Sequence, residues 1–312
     1  MKYLTGLSSY QGSRRTAITF GKFDGIHKGH QKLVGEVQFL GRVTDIDSII
    51  CAFDMTPFWK SRQMEKPTIM TPGERRRFLK GKADYLLECP FTREFSSILP
   101  EEFIRRYIRD LFHARYVVVG EDFRFGCDKK GDIAMLKAFE KECGYELHAI
   151  AKERFGDREI SSTYIKECIR EGRADLAREM LGYGYGMTGT VIAGNRLGRS
   201  IGFPTLNLEW QREKVLPRKG VYFGRTRIDG VWYQSISNLG TKPTVETGDR
   251  LLLESHLLGF QGDVYGKCVT TELFSFHREE KKFASIEALK EQILSDVEEA
   301  VRFFEEEREE KE

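Results

Sequence analysis

The texture of this chain changes near residue 183, and that change constrains the fold more than any other feature. Before it, short apolar runs ("TAITF", "SIICAF", "DYLLEC", "RYVVVG", "ELHAIA") alternate with stretches of helical periodicity such as "TPGERRRFLKG" and "PEEFIRRYIRDLF". Strands apolar on both sides and separated by helices call for a parallel sheet covered on both faces, with ligands at the carboxyl ends of its strands. After the Gly/Tyr stretch "MLGYGYGMTG", strand-like runs follow one another with no helix between them: "MTGTVIAG", "GVYFGRTRI", "VWYQSISNLG", "LLLESHLL" and "KCVTTELFSF". Asp229-Gly230 between two of these runs signals a hairpin. This half reads as an antiparallel β-barrel closed by a last helix, in which Ile286, Leu289, Ile293, Val297 and Val301 recur at helical spacing. That stripe is read as a packing face, and the acidic "EEEREEKE" after it as a solvated, frayed end. The expected fold is therefore α/β over residues 1–183 followed by β over residues 184–312. Each half is long enough to bury a core of its own.

Charge and composition narrow the function classes. With 50 Lys+Arg against 48 Asp+Glu the net charge is only +2, which argues against nucleic acid or a membrane surface as partner and for small molecules. No apolar run approaches the roughly 18 residues of a membrane span. The start "MKYLTGLSSYQGSRR" has no apolar segment behind its first charge, so the expected compartment is the cytoplasm. Six cysteines are scattered without a C-x-x-C pair, giving neither a zinc signature nor a disulfide framework.

The first strand feeds "GKFDGIHKGH", which places His27 and His30 one helical turn apart at the start of a helix. An isolated H-x-x-H can be two solvated imidazoles on a surface helix. Here the position matters: a helix N-terminus behind a strand end is an anion site, and Gly21, Gly25 and Gly29 let a phosphate approach the backbone. Two imidazoles on that face can donate hydrogen bonds to a phosphoryl group as charge builds up. In the second half, "GNRLGRSIGFPTLN" supplies Gly194, Gly198 and Gly202 but not the Lys-Ser/Thr ending of a Walker A loop. Thr205 and Asn207 alternate to one side of a strand and carry oxygens suited to magnesium. Glu254, inside "LLLESHLLGF", is either an outward-facing strand residue or a base held beside a cleft. His256 is read as structural.

These segments together resemble a family. "FGKFDGIHKGH" is similar to the H-x-G-H signature of nucleotidyltransferases, and "VVVGEDFRFGCDKKGD" and "ISSTYIKECIREG" resemble the flavin branch of that superfamily. "GTVIAGNRLGRSIGFPTLNLEW", "LPRKGVYFGRTRIDGVWYQSISNLGTKPTV", "LESHLLGFQGDVYGK" and "HREEKKFASIEALKEQI" resemble riboflavin kinases. Nearly the whole chain is thus similar to the bacterial bifunctional riboflavin kinase/FAD synthetase family. The resemblance implies a Rossmann-like nucleotidyltransferase domain over residues 1–183 that converts FMN and ATP to FAD and pyrophosphate. It implies a β-barrel riboflavin kinase domain over residues 184–312 that converts riboflavin and ATP to FMN and ADP. For the first domain it implies His27, His30 and Lys166 as catalytic, with Gly21, Phe23, Asp24, Gly25, Asp122, Ser161, Ser162 and Thr163 around nucleotide and phosphate. For the second it implies a phosphate loop of Gly194, Gly198, Arg199 and Gly202, Mg2+ on Thr205 and Asn207, Glu254 as base, and Arg278 and Phe283 at the flavin. Four positions depart from the family pattern: Thr56 stands where a histidine is expected, Lys166 where arginine is, Lys22 where asparagine is frequent and Gly259 where aspartate is common. Two alternatives follow: a riboflavin kinase whose first domain only binds, and a flavin sensor that does not catalyse.

Overall fold

The computed structural model describes residues 1–194, 197–242 and 250–309. The chain divides into two compact units, Met1–Ser162 and Thr163–Glu312.

In the first unit the apolar runs become β2 (Thr16–Gly21), β3 (Asp47–Asp54), β4 (Tyr85–Pro90), β5 (Ala114–Gly120) and β6 (Glu146–Ile150). An additional strand, β1 (Lys2–Thr5), is mostly exposed and had no apolar pattern to announce it. The six form one sheet in the order β1-β4-β3-β2-β5-β6, every pair parallel. Burial on both faces holds for the central strands, whereas the edge strands β1 and β6 stay partly open to solvent. From β2 the chain builds β3 and β4 outward on one side and then returns to place β5 on the other, so the switch point lies between the carboxyl ends of β2 and β5.

The helix α1 (Lys28–Val43) lays Leu33, Val37 and Leu40 on Ala17 of β2 and on Tyr116 and Val118 of β5. Short helices follow: α2 (Thr56–Lys60), α3 (Pro72–Leu79) with a Thr71/Glu74 capping box, α4 (Arg93–Ser96) and α5 (Pro100–Glu102). "PEEFIRRYIRDLF" is helical as expected, but Phe103–Leu111 winds as a π-helix, burying Phe103, Ile104 and Ile108. The helix α6 (Ile133–Cys143) and a small hairpin of β7 (Arg154–Phe155) and β8 (Arg158–Glu159) complete the unit.

The second unit begins within α7 (Ser162–Arg170) and continues through α8 (Ala174–Leu181), β9 (Tyr185–Thr190), α9 (Leu197–Ser200), β10 (Thr205–Glu209) and β11 (Gly220–Ile228). After these come β12 (Val231–Lys242), β13 (Arg250–Leu257), β14 (Cys268–Arg278) and α10 (Ile286–Glu309). The antiparallel sheet runs β10-β13-β12-β11-β14-β9. Its two ends meet through a bridge between Ile192 and Asn207, and Gln211 Nε2 donates to the Thr188 carbonyl at 3.0 Å. The sheet is therefore curled into a half-barrel, with α10 across it. Asp229 and Gly230 turn the β11–β12 hairpin with φ of 48° and 89°.

Two expectations about the C-terminus need correction. The stripe read as a packing face is not one throughout: α10 buries Asp296, Ala300 and Phe304, Ile286 and Val301 are exposed, and Leu289 and Ile293 line a cavity. The helix crosses an open half-barrel, so part of its apolar side faces a space rather than packed residues. The acidic end is helical through Glu309, with Glu307 paired to Arg178, and residues 310–312 of it lie outside the described residues. All six cysteines are free, four of them buried. Among the described residues no helix is long and apolar enough to cross a membrane.

Candidate active sites

In the first unit β2 ends at Gly21 and α1 begins at Lys28, which makes His27 the residue before the helix and puts His30 in its first turn. The loop between them is strained: Phe23 and Ile26 adopt φ of 48° and 37°, a region that bulky and β-branched residues avoid. Three things hold it. Phe23 and Ile26 are fully buried. Asp24 Oδ1 accepts from the Ile69 N–H at 2.7 Å, and its carbonyl accepts from Ser162 Oγ at 2.8 Å. Arg75, buried against Glu88, donates to the Lys22 carbonyl at 3.3 Å. Gly25 has to be glycine, since its φ is 83° and a Cβ would lie 2.9 Å from Ile69.

The two imidazoles stack with centroids 3.8 Å apart, and the Phe23 ring sits 5.1 Å from His30. Burial pushes His27 down to about 4, against the opposing pull of Asp24. Burial and then the neighbouring His27 hold His30 well below the usual histidine range. Both rings are therefore neutral at pH 7, each with one N–H to donate, and the buried Nδ1 of each has no hydrogen-bond partner. No side chain caps α1. An uncapped helix N-terminus with one neutral donor just before it and one in its first turn suits an anion whose charge grows during reaction.

Gly21, Phe23, Asp24, Gly25, His27, His30 and Ser162 are thus brought together. Phe23 has no exposed surface, Asp24 Oδ1 accepts from backbone, and Ser162 donates to the Asp24 carbonyl, so these three residues help to shape the loop. Asp122 follows β5 across the switch point and is exposed, paired with Lys152 at 2.9 Å. Ser161 immediately precedes α7, where Thr163 is exposed and Lys166 half-buried; both α7 residues belong to the second unit. Thr56 opens α2, exposed, with its N–H on Asp54 Oδ1 at 2.9 Å. Sequence reasoning missed a half-buried aromatic group at the carboxyl ends of β3 and β4. Phe53, Phe58 and Phe95 each lie within 5.7 Å of Phe91, centroid to centroid. The signal was a phenylalanine soon after each strand, in "FDMTPF" and "CPFTREF".

The second unit holds a cavity of about 310 Å³. Its floor is set by strand register: Asn207 on β10 pairs with Glu254 on β13, which pairs with Asn238 on β12. Direct cross-strand partners share a face, so the three side chains form a row, and all three line the cavity. Asn207 Oδ1 and Asn238 Oδ1 are buried without a hydrogen-bond partner. Lys242 forms an ion pair with Glu254. Thr205 stands two residues before Asn207 and also lines the space. Two glycines of the loop have steric reasons to be glycine. A Cβ on Gly194 would lie 2.5 Å from Asn207 Nδ2, and one on Gly198 would lie 2.3 Å from the Phe203 carbonyl oxygen. Gly202 turns with φ of 92°, Arg199 is an exposed part of the lining, and Asn195 and Arg196 lie outside the described residues. His256 also lines the cavity, and its Nδ1 is 2.9 Å from the Pro204 carbonyl, a contact that pins the turn before β10.

Arg278 lines the cavity as well, but most of its donors are occupied. Nε and Nη2 donate to the two Asp296 carboxylate oxygens at 2.9 and 2.6 Å, and Nη1 to the Glu279 carbonyl at 3.0 Å. Burial pushes the Asp296 carboxyl up, but hydrogen bonds from His277 and Arg278 outweigh it and hold the group well below the usual carboxylate range. Arg278 thus ties β14 to α10 while it lines the cavity. Phe283, half-buried, does face the cavity with Leu289 and Ile293. Lys242, Asn238 and Asp296 were not foreseen. For Asp296 the signal was a carboxylate between Ile293 and Val297 on the buried side of an amphipathic helix.

Residues 181–304 match the riboflavin kinase family and residues 10–164 the FAD synthetase family. The chain is 35% identical to the bifunctional riboflavin kinase/FMN adenylyltransferase of Haemophilus influenzae, over 92% of this chain and 94% of that one. It is 33% identical to the protein of the same description from Escherichia coli, over 97% and 98%. A crystal structure described as a macrolide-efflux protein from Streptococcus pneumoniae superposes with a TM-score of 0.85 at 28% identity, covering 96% of this chain and 98% of that one. Both halves are matched in the same order and the likeness runs the length of both chains, so this chain belongs to the bifunctional riboflavin kinase/FMN adenylyltransferase family.

Proposed function

We propose that the cavity of the second unit phosphorylates riboflavin with ATP, giving FMN and ADP, and that the histidine loop of the first adenylylates FMN with ATP, giving FAD and pyrophosphate. The observation that carries the kinase half is the row Asn207–Glu254–Asn238 facing a cavity beside a glycine loop. In the transfer, the terminal ribityl hydroxyl gives its proton to Glu254 while its oxygen bonds to the γ-phosphorus and the bond to the ADP oxygen breaks. Asn207 Oδ1, buried and unpartnered, and the Thr205 hydroxyl beside it fit Mg2+, which takes hard neutral oxygens and keeps other positions for phosphate and water. When bound, the ion supplies neutralisation of phosphate charge. Arg199, Gly194 and Gly198 border the phosphates, and Phe283, Leu289 and Ile293 offer apolar surface to the flavin ring.

In the first unit the neutral His27 and His30 donate to the α-phosphoryl group of ATP as FMN phosphate attacks it and pyrophosphate leaves. Asp122 is a further candidate for the nucleotide, and Lys166, on α7, is carried over as a candidate from the family resemblance alone. The two domains divide at residues 183/184, and the setting is the cytoplasm, where ATP and free flavins meet. The test is incubation of the full chain with riboflavin, ATP and magnesium, followed by chromatography. FMN should form first and FAD after it, with pyrophosphate; no FMN would overturn the kinase assignment, and FMN without pyrophosphate the adenylyltransferase one.

A further inference from the structure

We infer that Lys242 is the positioning residue for Glu254: its ammonium group holds one carboxylate oxygen and so leaves the other to take the proton of the substrate hydroxyl. The inference rests on the reading of Glu254 as the base of the kinase reaction.

Four observations carry it. The Lys242 Nζ–Glu254 Oε1 ion pair lies within the cavity lining, with side chains 35% and 20% exposed, so it is neither a fully solvated pair nor a dry one. Lys242 is opposite Arg250 on the β12–β13 ladder while Glu254 is opposite Asn238, four residues away. Four residues of strand are about 13 Å, and lysine and glutamate span that distance only when both are extended toward each other. Lys242 and Asn238 differ by an even number of positions, which puts Lys242 on the same face as the row. Finally, among the described residues Lys242 is the only hydrogen-bond partner of the Glu254 carboxylate. The neighbouring amide in the row is committed elsewhere, with Asn238 Nδ2 donating to Glu280 Oε1 at 3.1 Å.

The physical need is plain. A glutamate has three rotatable bonds, and a general base must hold an oxygen within about 2.6–3.2 Å of the proton it removes. A misplacement of about 1 Å can cost on the order of 100-fold. Fixing Oε1 from the end of the ladder orients the carboxylate across the row and leaves Oε2 without a partner among the described residues. At this exposure the attraction within the pair is modest, so what the ammonium group supplies is chiefly orientation. The proton goes from the hydroxyl to Glu254 Oε2; Lys242 neither gives nor takes one.

The experiment is a double-mutant cycle in the full chain, read as FMN formation with radiolabelled ATP. Lys242→Met should lower kcat about tenfold or more with the riboflavin KM within about threefold of wild type, and Lys242→Arg, which keeps a cation with similar reach, should recover most of kcat. In a Glu254→Gln background, Lys242→Met should add less than about a twofold loss, because the group it positions no longer acts as a base. An equal loss in both backgrounds would mean that Lys242 acts on the substrate directly and overturns the inference, as would an unchanged kcat in Lys242→Met. If the methionine variant does not fold, Lys242→Gln serves the same cycle. The reading of Glu254 fails separately, by near wild-type FMN formation in Glu254→Gln alone.

Discussion

The histidine loop of the first unit and the cavity row of the second, the two sites proposed to meet phosphate, are prepared by different means. In the loop, strain and burial do the work: left-handed Phe23 and Ile26 hold two stacked imidazoles that burial keeps neutral. In the row, antiparallel register brings three polar side chains to one face, and the charge there has a partner of opposite sign. A loop of this kind is fixed by many distant contacts at once, through Ile69, Ser162 and Arg75. A ladder is fixed by its own hydrogen bonds, so single side chains on it can be changed with less risk to the backbone. The two sites should therefore fail in different ways.

The sharpest separation is expected from Glu254→Gln. General-base catalysis is worth typically 10²–10⁴-fold, so FMN formation should fall by that factor while FAD formation from supplied FMN is unchanged. A parallel fall in both reactions would break the comparison, since the two chemistries would then share a site.

The converse change is His27→Ala or His30→Ala. Each should lower FAD formation roughly 10²–10³-fold, by analogy with the loss of one oxyanion donor, with riboflavin phosphorylation intact. His30→Ala should also loosen Phe23, whose ring packs on it, so circular dichroism has to show a folded protein. Loss of kinase activity in a folded variant would show that the histidines serve the whole chain.

How far each site could be read from sequence follows the same division. The order of strands and helices, the parallel and antiparallel halves and the Asp229-Gly230 hairpin were legible because periodicity and turn chemistry are local. The histidine pair was legible for the same reason, being three residues apart. The Asp24–Ile69 bond, the Lys242–Glu254 pair and the Arg278–Asp296 strut were not, because each joins segments whose relation depends on register or packing. The misreading of the α10 stripe has that origin too: periodicity says which side of a helix is apolar but not whether it meets a packed core or a cavity. β1 was hidden because an edge strand open to solvent needs no apolar pattern.

Acid should separate the two units. The folded pKa of His27 is lowered from the usual 6.5 to about 4, and His30 is lowered in the same direction. Between those values the unfolded chain binds protons that the folded one does not. The stability these groups allow is thus fully present above about pH 6.5 and is lost as pH falls toward 4, at up to about 1.4 kcal/mol per pH unit for each histidine. In the second unit Asp296 is shifted down as a carboxylate, so its contribution persists through this window and goes only below the usual carboxylate range. Hydrogen exchange, corrected for intrinsic rates, should show peptides from β2 and α1 losing protection between pH 7 and 5 while peptides from β14 and α10 keep theirs. Equal losses in both sets would remove burial of the imidazoles as the distinguishing feature.

The smallest effect is expected at Lys166, on α7, where the family pattern has arginine. Arginine presents a planar fork that can bind two phosphate oxygens at once, whereas lysine presents a compact charge on a flexible stem. If Lys166 meets phosphate as proposed, the attraction is kept while some geometric control is lost, and Thr56, exposed at the start of α2, has no imidazole to compensate. Adenylyl transfer should then be slower than phosphorylation, with FMN accumulating before FAD. With saturating FMN, Lys166→Ala should lower pyrophosphate release about tenfold, the scale on which loss of one charge-assisted contact acts. Lys166→Arg should raise it by no more than about threefold, because the charge is the same and only its geometry changes. An alanine variant that matches wild type would make Lys166 a helix residue without a part in the reaction, and the slow step would have to be sought at Thr56, where Thr56→His is the next substitution to measure.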